Sequence, residues 1–208
     1  MSISDLLAAY AHRRSHYLIG PQCPISHAEL EDVVYASLRH VPSMFNMQST
    51  RIIILYDIHH KALWDLCEES LSAEIRARVP NVASEHFPTV QDKIDRLREG
   101  YGTILFFEDE EVIRSCSERY PAYTKAFPTW SLQSAAIAQY AIWLALDISG
   151  LGLTLQHYQP SLAAIREKWG VPESWTMTGQ MPFGSLAGLP VEKNFKHRVE
   201  IMTVFGVD

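Results

Sequence analysis

Two short apolar runs constrain the fold of this chain more than any other feature of its sequence. Residues 51–56 (RIIILY) and 102–109 (GTILFFED) each have the length and the β-branched or aromatic content of a buried strand. Helical patterns precede the first run and fill the space between the two. The resulting order is helix, helix, strand, helix, helix, strand, which is not a regular βαβ series, and no GxGxxG follows a strand. The sequence therefore predicts an α+β fold, or a sheet with helices on both faces, rather than a dinucleotide-binding domain.

Caps and periodicity predict the remaining elements. Ser26 and Glu29 form a capping box ahead of a helix that Pro42 ends, and Ser161 caps a helix over 161–169. Further helices are predicted over 3–17 (ending near the basic cluster His12-Arg13-Arg14), 59–78, 91–99, 110–119 and 132–149, and further strands over 153–158, 175–188 and 198–206. Residues 79–92 and the stretch framed by Pro121 and Pro128 are predicted to be irregular.

Composition and charge narrow the class of protein. The chain has 208 residues, 47% of them hydrophobic, which suits a single domain over residues 1–208. A net charge of −6 argues against nucleic acid as a partner. The three cysteines form no CxxC pair, which makes a disulfide framework an unsuitable interpretation. The start of the chain lacks a signal-peptide layout. The longest apolar stretch is interrupted by Gln139 and is too short to span a membrane. We expect a soluble cytoplasmic protein without a membrane partner.

Basic residues cluster near both ends of the chain. Arg13, Arg14 and Ser15 place two guanidinium groups and a hydroxyl at adjacent positions, and guanidinium forks match phosphate oxygens. Arginine is also favoured at a helix C-terminus by the helix dipole, so a solvated helix end explains the same residues. Near the other end, 193–198 holds three basic residues that suit either a second anion site or a polar approach to a final strand.

The segment Pro42–Gln48 is unusually polar for a connection between a helix and a core strand. Ser43, Asn46 and Gln48 offer hydroxyl and amide groups that both donate and accept hydrogen bonds. A flat ligand with alternating carbonyl and N–H groups along its edge needs such partners. Serine and asparagine also stabilise ordinary turns by bonding to their own backbone, so this segment alone does not decide between the two interpretations.

No residue pattern identifies a metal site or a catalytic nucleophile. His12 and His16 are four residues apart, but no HExxH order and no second cluster accompanies them. GxSxG is absent, and no cysteine lies in an evidently activating context. We name no catalytic residue and no metal, and we expect any chemistry to come from a bound cofactor.

Five motifs, taken together, resemble the nitroreductase family of flavin mononucleotide (FMN) enzymes. They are RRSHYLI, PSMFNMQSTRIIIL, HHKALWDL, GYGTILFFED and GLGLTLQHYQP, and they cover roughly residues 10–205 in the family's order. The likeness is closer to the short nitroreductase-like branch of fatty-acid-repression type. It implies a central mixed, mostly antiparallel sheet flanked by helices, in an intertwined homodimer that binds two flavins at its interface.

The resemblance also assigns residues to the flavin. The N-terminal motif implies contacts to the phosphate and ring of the flavin. The polar loop implies contacts from the partner subunit, with Gln48 orienting that loop. The stretch after the Gly-rich turn implies contacts along the flavin ring. The residues concerned are Arg13, Arg14 and Ser15; Pro42, Ser43, Met44, Asn46 and Gln48; and Gln156, His157 and Tyr158. Lys196 and Arg198 match a phosphate-binding pair, with Lys193 as the competing register. Larger members often carry Lys or Arg where Tyr17 stands, which leaves that contact open.

The resemblance implies a ping-pong oxidoreductase that uses NADH or NADPH and passes electrons to nitroaromatic or quinone-type acceptors. A cation near the carbonyl end of the flavin is expected from Arg13, Arg14 or a C-terminal basic residue. One alternative is a flavin-binding stress-response or regulatory protein with little turnover. Another is a helical interaction module without flavin, built on the small-residue helix 132–149.

Overall fold

The computed structural model describes residues 2–78 and 87–206, and its helices and strands alternate irregularly along the chain. Within these residues the helices are α1 (Ile3–His12), α2 (His27–His40), α3 (Asp57–Arg78), α4 (Phe87–Arg98), α5 (Glu110–Arg119), α6 (Phe127–Ile148), α7 (Leu162–Trp169) and α8 (Arg198–Ile201). The strands are β1 (Ile19–Gly20), β2 (Thr50–Tyr56), β3 (Gly102–Asp109), β4 (Gly152–Leu153) and β5 (Trp175–Leu186), and single 3₁₀ turns cover Met44–Asn46 and Pro121–Tyr123.

The strands form one sheet in the order β1-β5-β3-β2, and β4 pairs with β5 on the edge that β1 also uses. Every described strand pairing is antiparallel. Because α3 and α4 carry the chain away from the end of β2 and back again, β3 enters the sheet where β2 left it and runs antiparallel. The predicted α+β fold with helices flanking the sheet is confirmed, whereas the expected mixed sheet is an antiparallel one in the described residues.

Side chains of β3 pack alternately on the two faces of the sheet, and each face carries its own core. Ile104 and Phe106 pack with buried residues of α2 and α6, while Leu105 and Phe107 pack with buried residues of α3, α4 and α7. All eight residues of β3 are buried. A strand covered on both faces reads as a continuous apolar run, which is why its bounds could be predicted from the sequence.

The predicted caps are present. The backbone N–H of Glu29 donates to Ser26 Oγ at 3.2 Å, and the N–H of Ser26 donates back to Glu29 Oε2 at 2.8 Å. The N–H of Ala164 donates to Ser161 Oγ at 3.3 Å at the start of α7. Both helices thus begin where their capping residues satisfy backbone donors that have no partner inside the helix.

Helix bounds differ from the prediction in three places. α1 ends at His12, in the basic cluster near which its end is predicted, but before residue 17. α4 already begins at Phe87, inside the stretch predicted to be irregular, and residues 79–86 of that stretch lie outside the described residues. α6 begins at Phe127 rather than 132, with Pro128 in its first turn. Proline is tolerated there because a first-turn N–H has no helical partner to lose.

Two predicted strands are shorter or absent. Of residues 153–158, Leu153 ends β4 and Gln156 forms an isolated bridge to Gln180. Residues 198–206 were predicted to form a strand, but Arg198–Ile201 form one helical turn and no strand pairs with this segment in the described part of the chain. A strand depends on hydrogen bonds to a neighbouring strand, and this segment has no such neighbour within the single chain.

Helix α6 is the longest apolar element next to the sheet. It buries Ala135, Ala138 and Ile142, yet Leu132 and Ile137 on the same helix are 59% and 44% exposed. Within residues 2–78 and 87–206, no helix is both long enough and apolar enough to cross a membrane.

Candidate functional site

The residues that follow α1 run beside β4. Arg13 is the C-cap of α1 and already has extended backbone angles. Three residues later, the backbone N–H of His16 donates to the carbonyl of Leu153 at 2.9 Å. The structure thus places the predicted segment 13–17 alongside the chain that continues into 156–158, although about 140 positions separate them in the sequence.

Both arginines of the N-terminal motif are held in place. The guanidinium carbon of Arg13 lies 4.4 Å from the ring centroid of Trp143 and 5.9 Å from the ring centroid of Tyr140. Its Nε is buried and has no hydrogen-bond partner among the described residues. Arg14 Nη2 donates to the carbonyl of Val191 in the C-terminal tail. Two guanidinium groups therefore lie at the end of α1 with donors left for an anion, which fits a phosphate better than a freely solvated helix end.

Two histidines border this segment. His12 Nδ1 lies 2.7 Å from Oδ2 of the buried Asp147. His16 is buried, and its Nδ1 has no partner among the described residues. Burial lowers the pKa of His16, while the charge of Asp147 acts in the opposite direction. A neutral His16 leaves one ring nitrogen available to a bound polar group.

Gln180 fixes the backbone of the predicted ring-binding stretch 156–158. Its side-chain Oε1 accepts from the N–H of Tyr158 at 3.0 Å, and its Nε2 donates to the Tyr158 carbonyl at 2.9 Å. The buried Gln156 side chain donates to Thr154 Oγ1 at 2.9 Å. His157, between them, is exposed. Because its neighbours are tied down, this stretch presents His157 and Tyr158 in a fixed orientation.

A lysine from α4 joins the two tyrosines of these segments. The ammonium of Lys93 lies 5.8 Å from the ring centroid of Tyr17 and 5.7 Å from that of Tyr158. Both distances are within the range of a cation–π interaction. Burial, the largest cause, raises the pKa of Tyr158, so its phenol stays neutral at ordinary pH. Sequence reasoning missed Lys93, since nothing in the 91–99 helix pattern relates it to residues 17 or 158.

The polar loop has a strained and well-anchored backbone. Phe45, Asn46 and Gln48 have φ angles of 53°, 53° and 50°, in the left-handed region that non-glycine residues rarely adopt. The N–H of Gln48 donates to Ser43 Oγ at 3.0 Å. The ring of Phe45 stacks on Tyr120 with centroids 4.6 Å apart, and three more aromatic rings surround it, those of Tyr123, Phe127 and Trp130. Part of the predicted turn chemistry is thus present, and it fixes an unusual loop shape.

A buried carboxylate holds the end of this loop to the sheet. Glu108 is 2% exposed and accepts hydrogen bonds from the hydroxyls of Ser49, Thr50 and Ser131, with the Thr50 bond at 2.6 Å. These residues come from β3, from the start of β2 and from α6. Three hydroxyl donors are what make the burial of such a charge tolerable. Sequence reasoning missed Glu108, because a charged residue at the end of an apolar strand is usually solvated.

A pocket of ≈ 200 Å³ opens beside the loop. Its walls combine apolar, amide and cationic groups from α2, the loop, β2 and α6. The lining residues are Tyr35, Leu38, Arg39, Val41, Pro42, Ser43, Gln48, Thr50, Arg51 and Ser134. Met44 and Asn46 of the same loop are exposed. The loop therefore borders an open, polar surface of the single chain.

The two groups of predicted residues lie far apart within one chain. Leu153, beside the N-terminal segment, is level with Gly102 at one end of β3, whereas the loop joins the sheet at Asp109 at the other end. The seven steps from Leu153 to this point correspond to roughly 23 Å along the strand at about 3.3 Å per residue. Gln156, which bridges to Gln180 opposite Leu105, is four steps from it, or roughly 13 Å. The two groups also lie at opposite edges of the sheet. The structure brings residues 13–17 and 156–158 together and leaves residues 42–48 apart from them.

The C-terminal basic residues lie on an exposed tail. Lys193, Lys196 and Arg198 are all exposed, and among the described residues none of them forms a hydrogen bond or ion pair with the N-terminal segment. Arg14 reaches the tail at Val191, two residues before Lys193. The choice between the Lys193 register and the Lys196 and Arg198 pair stays a prediction.

Comparison with known proteins agrees with this architecture. The sequence profile described as "Nitroreductase family" matches residues 10–185. Two proteins of Saccharomyces cerevisiae are similar over nearly their full lengths: HBN1 is 32% identical over 204 residues, 96% of this chain and 98% of its own, and nitroreductase FRM2 is 30% identical over 198 residues, 94% of this chain and 95% of its own.

Solved structures give the same result. Nitroreductase CinD from Lactococcus lactis, in complex with chloramphenicol, superimposes with a TM-score of 0.85 and 31% identity over 97% of this chain and 100% of its own. A second CinD structure, with 4-nitrophenol, gives a TM-score of 0.85 and 30% identity over the same shares. From the family profile, the full-length relatives and the shared fold, this chain belongs to the nitroreductase family and is an oxidoreductase of that family.

Proposed function

We propose that this chain is an FMN-dependent oxidoreductase that takes electrons from NADH or NADPH and passes them to nitroaromatic or quinone-type acceptors by a ping-pong mechanism. The observation that carries the proposal is the pair of half-sites, one basic and aromatic and one polar and strained, in a chain that belongs to the nitroreductase family. CinD, a relative at 31% identity, binds chloramphenicol, and a second CinD structure holds 4-nitrophenol. Both ligands are nitroaromatic compounds, which supports that class of acceptor here.

The residues present fit FMN. Arg13 and Arg14 offer guanidinium donors for the phosphate, and the buried Nε of Arg13 has no partner among the described residues. Ser15 adds a hydroxyl beside them. Tyr17 and Tyr158 supply flat aromatic surfaces next to the fixed 156–158 backbone. The chain thus offers anion donors and aromatic walls side by side, as a ligand with a phosphate and a planar ring requires.

When bound, FMN would supply the two-electron chemistry, taking a hydride from NADH or NADPH and passing both electrons on to the second substrate. The chain's own residues would bind and orient the ligand and exclude water. Gln180 keeps the 156–158 backbone fixed, and Glu108 keeps the polar loop in register with the sheet. A flat electron-poor acceptor would occupy the place that the nicotinamide leaves, which is the basis of ping-pong turnover. We assign no catalytic acid or base.

The proposal includes a homodimer in which residues 42–48 of one subunit complete the site of the other. One chain keeps its two half-sites at opposite edges of the sheet and roughly 13–23 Å apart along the strands, so a shared site needs a second copy. The C-terminal tail also exposes large apolar side chains that a monomer would leave in water. They are Leu189 (93% exposed), Val191 (68%), Phe195 (80%), Val199 (84%), Ile201 (69%) and Phe205 (89%). Exposed apolar surface on this scale is typical of an interface.

The free edge of β2 gives this tail a place to bind. β2 is an edge strand, and a groove beside it is lined by Ile53, Ile54, Leu55 and Tyr56. An extended segment of a partner's tail would satisfy the unpaired backbone groups of that edge. Residues 198–206, whose strand prediction is wrong for the single chain, would then find their strand partner in the second subunit.

The first test is the visible absorbance spectrum after FMN is added and the protein is desalted. A retained flavin spectrum that NADH or NADPH bleaches anaerobically, with steady turnover on 4-nitrophenol or a quinone, is the expected result. A protein that retains no flavin contradicts the proposal. Retained flavin without turnover would instead favour the flavin-binding regulatory or stress protein.

A matched pair of variants localises the phosphate site. Arg13→Ala should weaken FMN binding by about 10-fold or more, because a charge-assisted hydrogen bond contributes about 1.5–3 kcal/mol. Arg114→Ala, an exposed arginine on α5, should leave the FMN dissociation constant unchanged. Equal affinities in both variants would remove Arg13 from the site.

Light scattering coupled to size-exclusion chromatography tests the dimer. The unmodified protein should have the mass of two chains. Phe205→Ser changes a side chain that is 89% exposed in the single chain, so it would be harmless to a monomer. In a dimer that buries Phe205, the same change should shift the mass toward one chain at low protein concentration. A monomeric unmodified protein contradicts this part of the proposal.

A further inference from the structure

A buried carboxylate lies against the segment proposed to hold the flavin phosphate. Asp147, near the end of α6, is 3% exposed. Its Oδ2 accepts a hydrogen bond of 2.7 Å from Nδ1 of His12, the last residue of α1, whose side chain is exposed. His12 directly precedes Arg13 in the chain. The proposed function gives no role to this pair, although it ties the first residue of the phosphate motif's neighbourhood to a distant helix.

The face of α6 that carries Asp147 also holds Arg13. Tyr140, Trp143 and Asp147 are three and four residues apart, so they lie on one face of the helix. The ring of Tyr10, from α1, packs on Tyr140 with centroids 6.0 Å apart, and the guanidinium carbon of Arg13 lies 4.4 Å from the ring centroid of Trp143. The end of α1 therefore packs on α6 through one aromatic pair, one cation–π contact and the hydrogen bond to Asp147.

The hydrogen bond to Asp147 is the directional contact among these three. Aromatic and cation–π attractions tolerate sliding of one group across a ring, since their favourable distances span a broad range. A hydrogen bond instead weakens steeply as its angle departs from linearity. The chain leaves α1 in an extended conformation and is tied again at His16, whose N–H donates to the Leu153 carbonyl at 2.9 Å. Residues 13–15 are thus held at one end by His12 and at the other by His16.

The charge of Asp147 would by itself oppose an anion at this place. Burial lowers the pKa of His16, and the charge of Asp147 opposes that lowering, so the carboxylate also lies near this second histidine. A phosphate close to a buried carboxylate is repelled, because the interior screens charges less than water does. Positioning and repulsion would change phosphate affinity in opposite directions, so substitutions can separate them.

We propose that Asp147 is a positioning residue for the flavin phosphate: through His12 it fixes the end of α1, so that the guanidinium groups of Arg13 and Arg14 are directed at one anion. The inference rests on the proposed function, in which these two arginines bind the phosphate. Arg13 Nε is buried and has no partner among the described residues, so this donor is in place before a phosphate binds. Asp147 acts through His12 and not by touching the ligand. Loss of the contact should therefore weaken binding of the phosphate and leave binding of the ring unchanged.

The test compares FMN with riboflavin, which has the same ring and side chain but no phosphate. Fluorescence titration of the apoprotein gives the ratio of the riboflavin dissociation constant to that of FMN. His12→Ala removes the hydrogen bond by changing an exposed side chain, so the fold should tolerate it. It should lower the ratio by about tenfold, as expected for the loss of one charge-assisted hydrogen bond to the phosphate. His40→Ala, an exposed histidine in the last turn of α2, is the matched control and should not change the ratio.

Variants of Asp147 separate positioning from repulsion. Asp147→Ala should lower the ratio as much as His12→Ala, and the double variant should lower it no further, because both changes remove the same contact. Asp147→Asn removes the charge but keeps an oxygen that can accept from His12, so its ratio should stay close to that of the unmodified protein. If repulsion dominated, Asp147→Asn would instead raise the ratio.

The outcomes distinguish this inference from the function on which it rests. A ratio that falls in His12→Ala and holds in Asp147→Asn and His40→Ala supports it. An unchanged ratio in His12→Ala overturns it, whether or not Asp147→Ala folds. A ratio that rises in Asp147→Asn also overturns it, and so does an equal loss of affinity for both flavins in His12→Ala, which would indicate a structural role alone. An unmodified protein that binds neither flavin overturns the proposed function, and this inference with it.

Discussion

His60 gives this protein a pH-dependent stability that can be measured without any ligand. The residue is 1% exposed and lies in a chain of three hydrogen bonds. Its Nε2 is 3.1 Å from the carbonyl of Arg98, which can only accept, so Nε2 carries the proton. Its Nδ1 then accepts from the Thr103 hydroxyl at 2.8 Å, and the Thr103 oxygen accepts from the Trp64 indole N–H at 3.1 Å. Every polar atom in this chain is satisfied with His60 neutral.

Burial lowers the pKa of His60 from its ordinary 6.5 to about 4. Between those two values the unfolded chain binds a proton at this residue and the folded chain does not. The free energy of unfolding therefore falls as the pH is lowered through this window and is fully retained above it. At about 1.36 kcal/mol per pH unit, His60 alone accounts for about 3 kcal/mol between pH 7 and pH 4.

Urea unfolding followed by tryptophan fluorescence, at fixed protein concentration and several pH values, checks this prediction. His60→Gln keeps a donor for the Arg98 carbonyl but cannot ionise, so it should be less stable at pH 7 and lose about 3 kcal/mol less on acidification. His40→Gln, at an exposed position in the last turn of α2, is the control and should lose as much stability on acidification as the unmodified protein. Parallel stability curves for the unmodified protein and His60→Gln would refute the reasoning.

Two further substitutions test the sheet next to the proposed site. Glu108→Gln leaves fewer acceptors for three buried hydroxyl donors, so it should lower the free energy of unfolding by about 1–3 kcal/mol and weaken FMN binding. The control Glu110→Gln, at an exposed nearby position, should change neither quantity. Gly184→Ala would place a Cβ atom against the carbonyl oxygen of Gly20, so it should break the β1–β5 pairing and lower the thermal unfolding midpoint by several degrees. An unchanged midpoint would show that the backbone can shift to accommodate the methyl group.

The sequence predicts best those elements whose signals are local. β3 was predicted with its observed bounds because a strand buried on both faces is apolar at every position. α7 was predicted to begin at its cap, because Ser161 can satisfy a backbone N–H three residues away. The sequence places the start of α6 too late, because Pro128 suggests a boundary although proline fits a helix's first turn.

Features that depend on distant partners could not be predicted in this way. Nothing near Lys93 in the sequence indicates that its ammonium lies between Tyr17 and Tyr158, because folding alone brings these positions together. The buried role of Glu108 depends on hydroxyls from two other elements. The strand predicted over 198–206 has a β pattern but no partner strand in a single chain, so its hydrophobic side chains remain exposed. The assignments of residues 42–48 and of the C-terminal cations to the flavin stay predictions.

The left-handed backbone of the loop bears on the speed of binding as well as its strength. Holding Phe45 and Asn46 at φ angles of 53° costs on the order of 1 kcal/mol or more each, and packing of the Phe45 ring offsets this cost when the chain folds. The loop is already ordered before a ligand binds, so binding includes no separate step in which the loop becomes ordered. Its association should be limited by diffusion and orientation, so differences in affinity between ligands should appear mainly in how long each one stays.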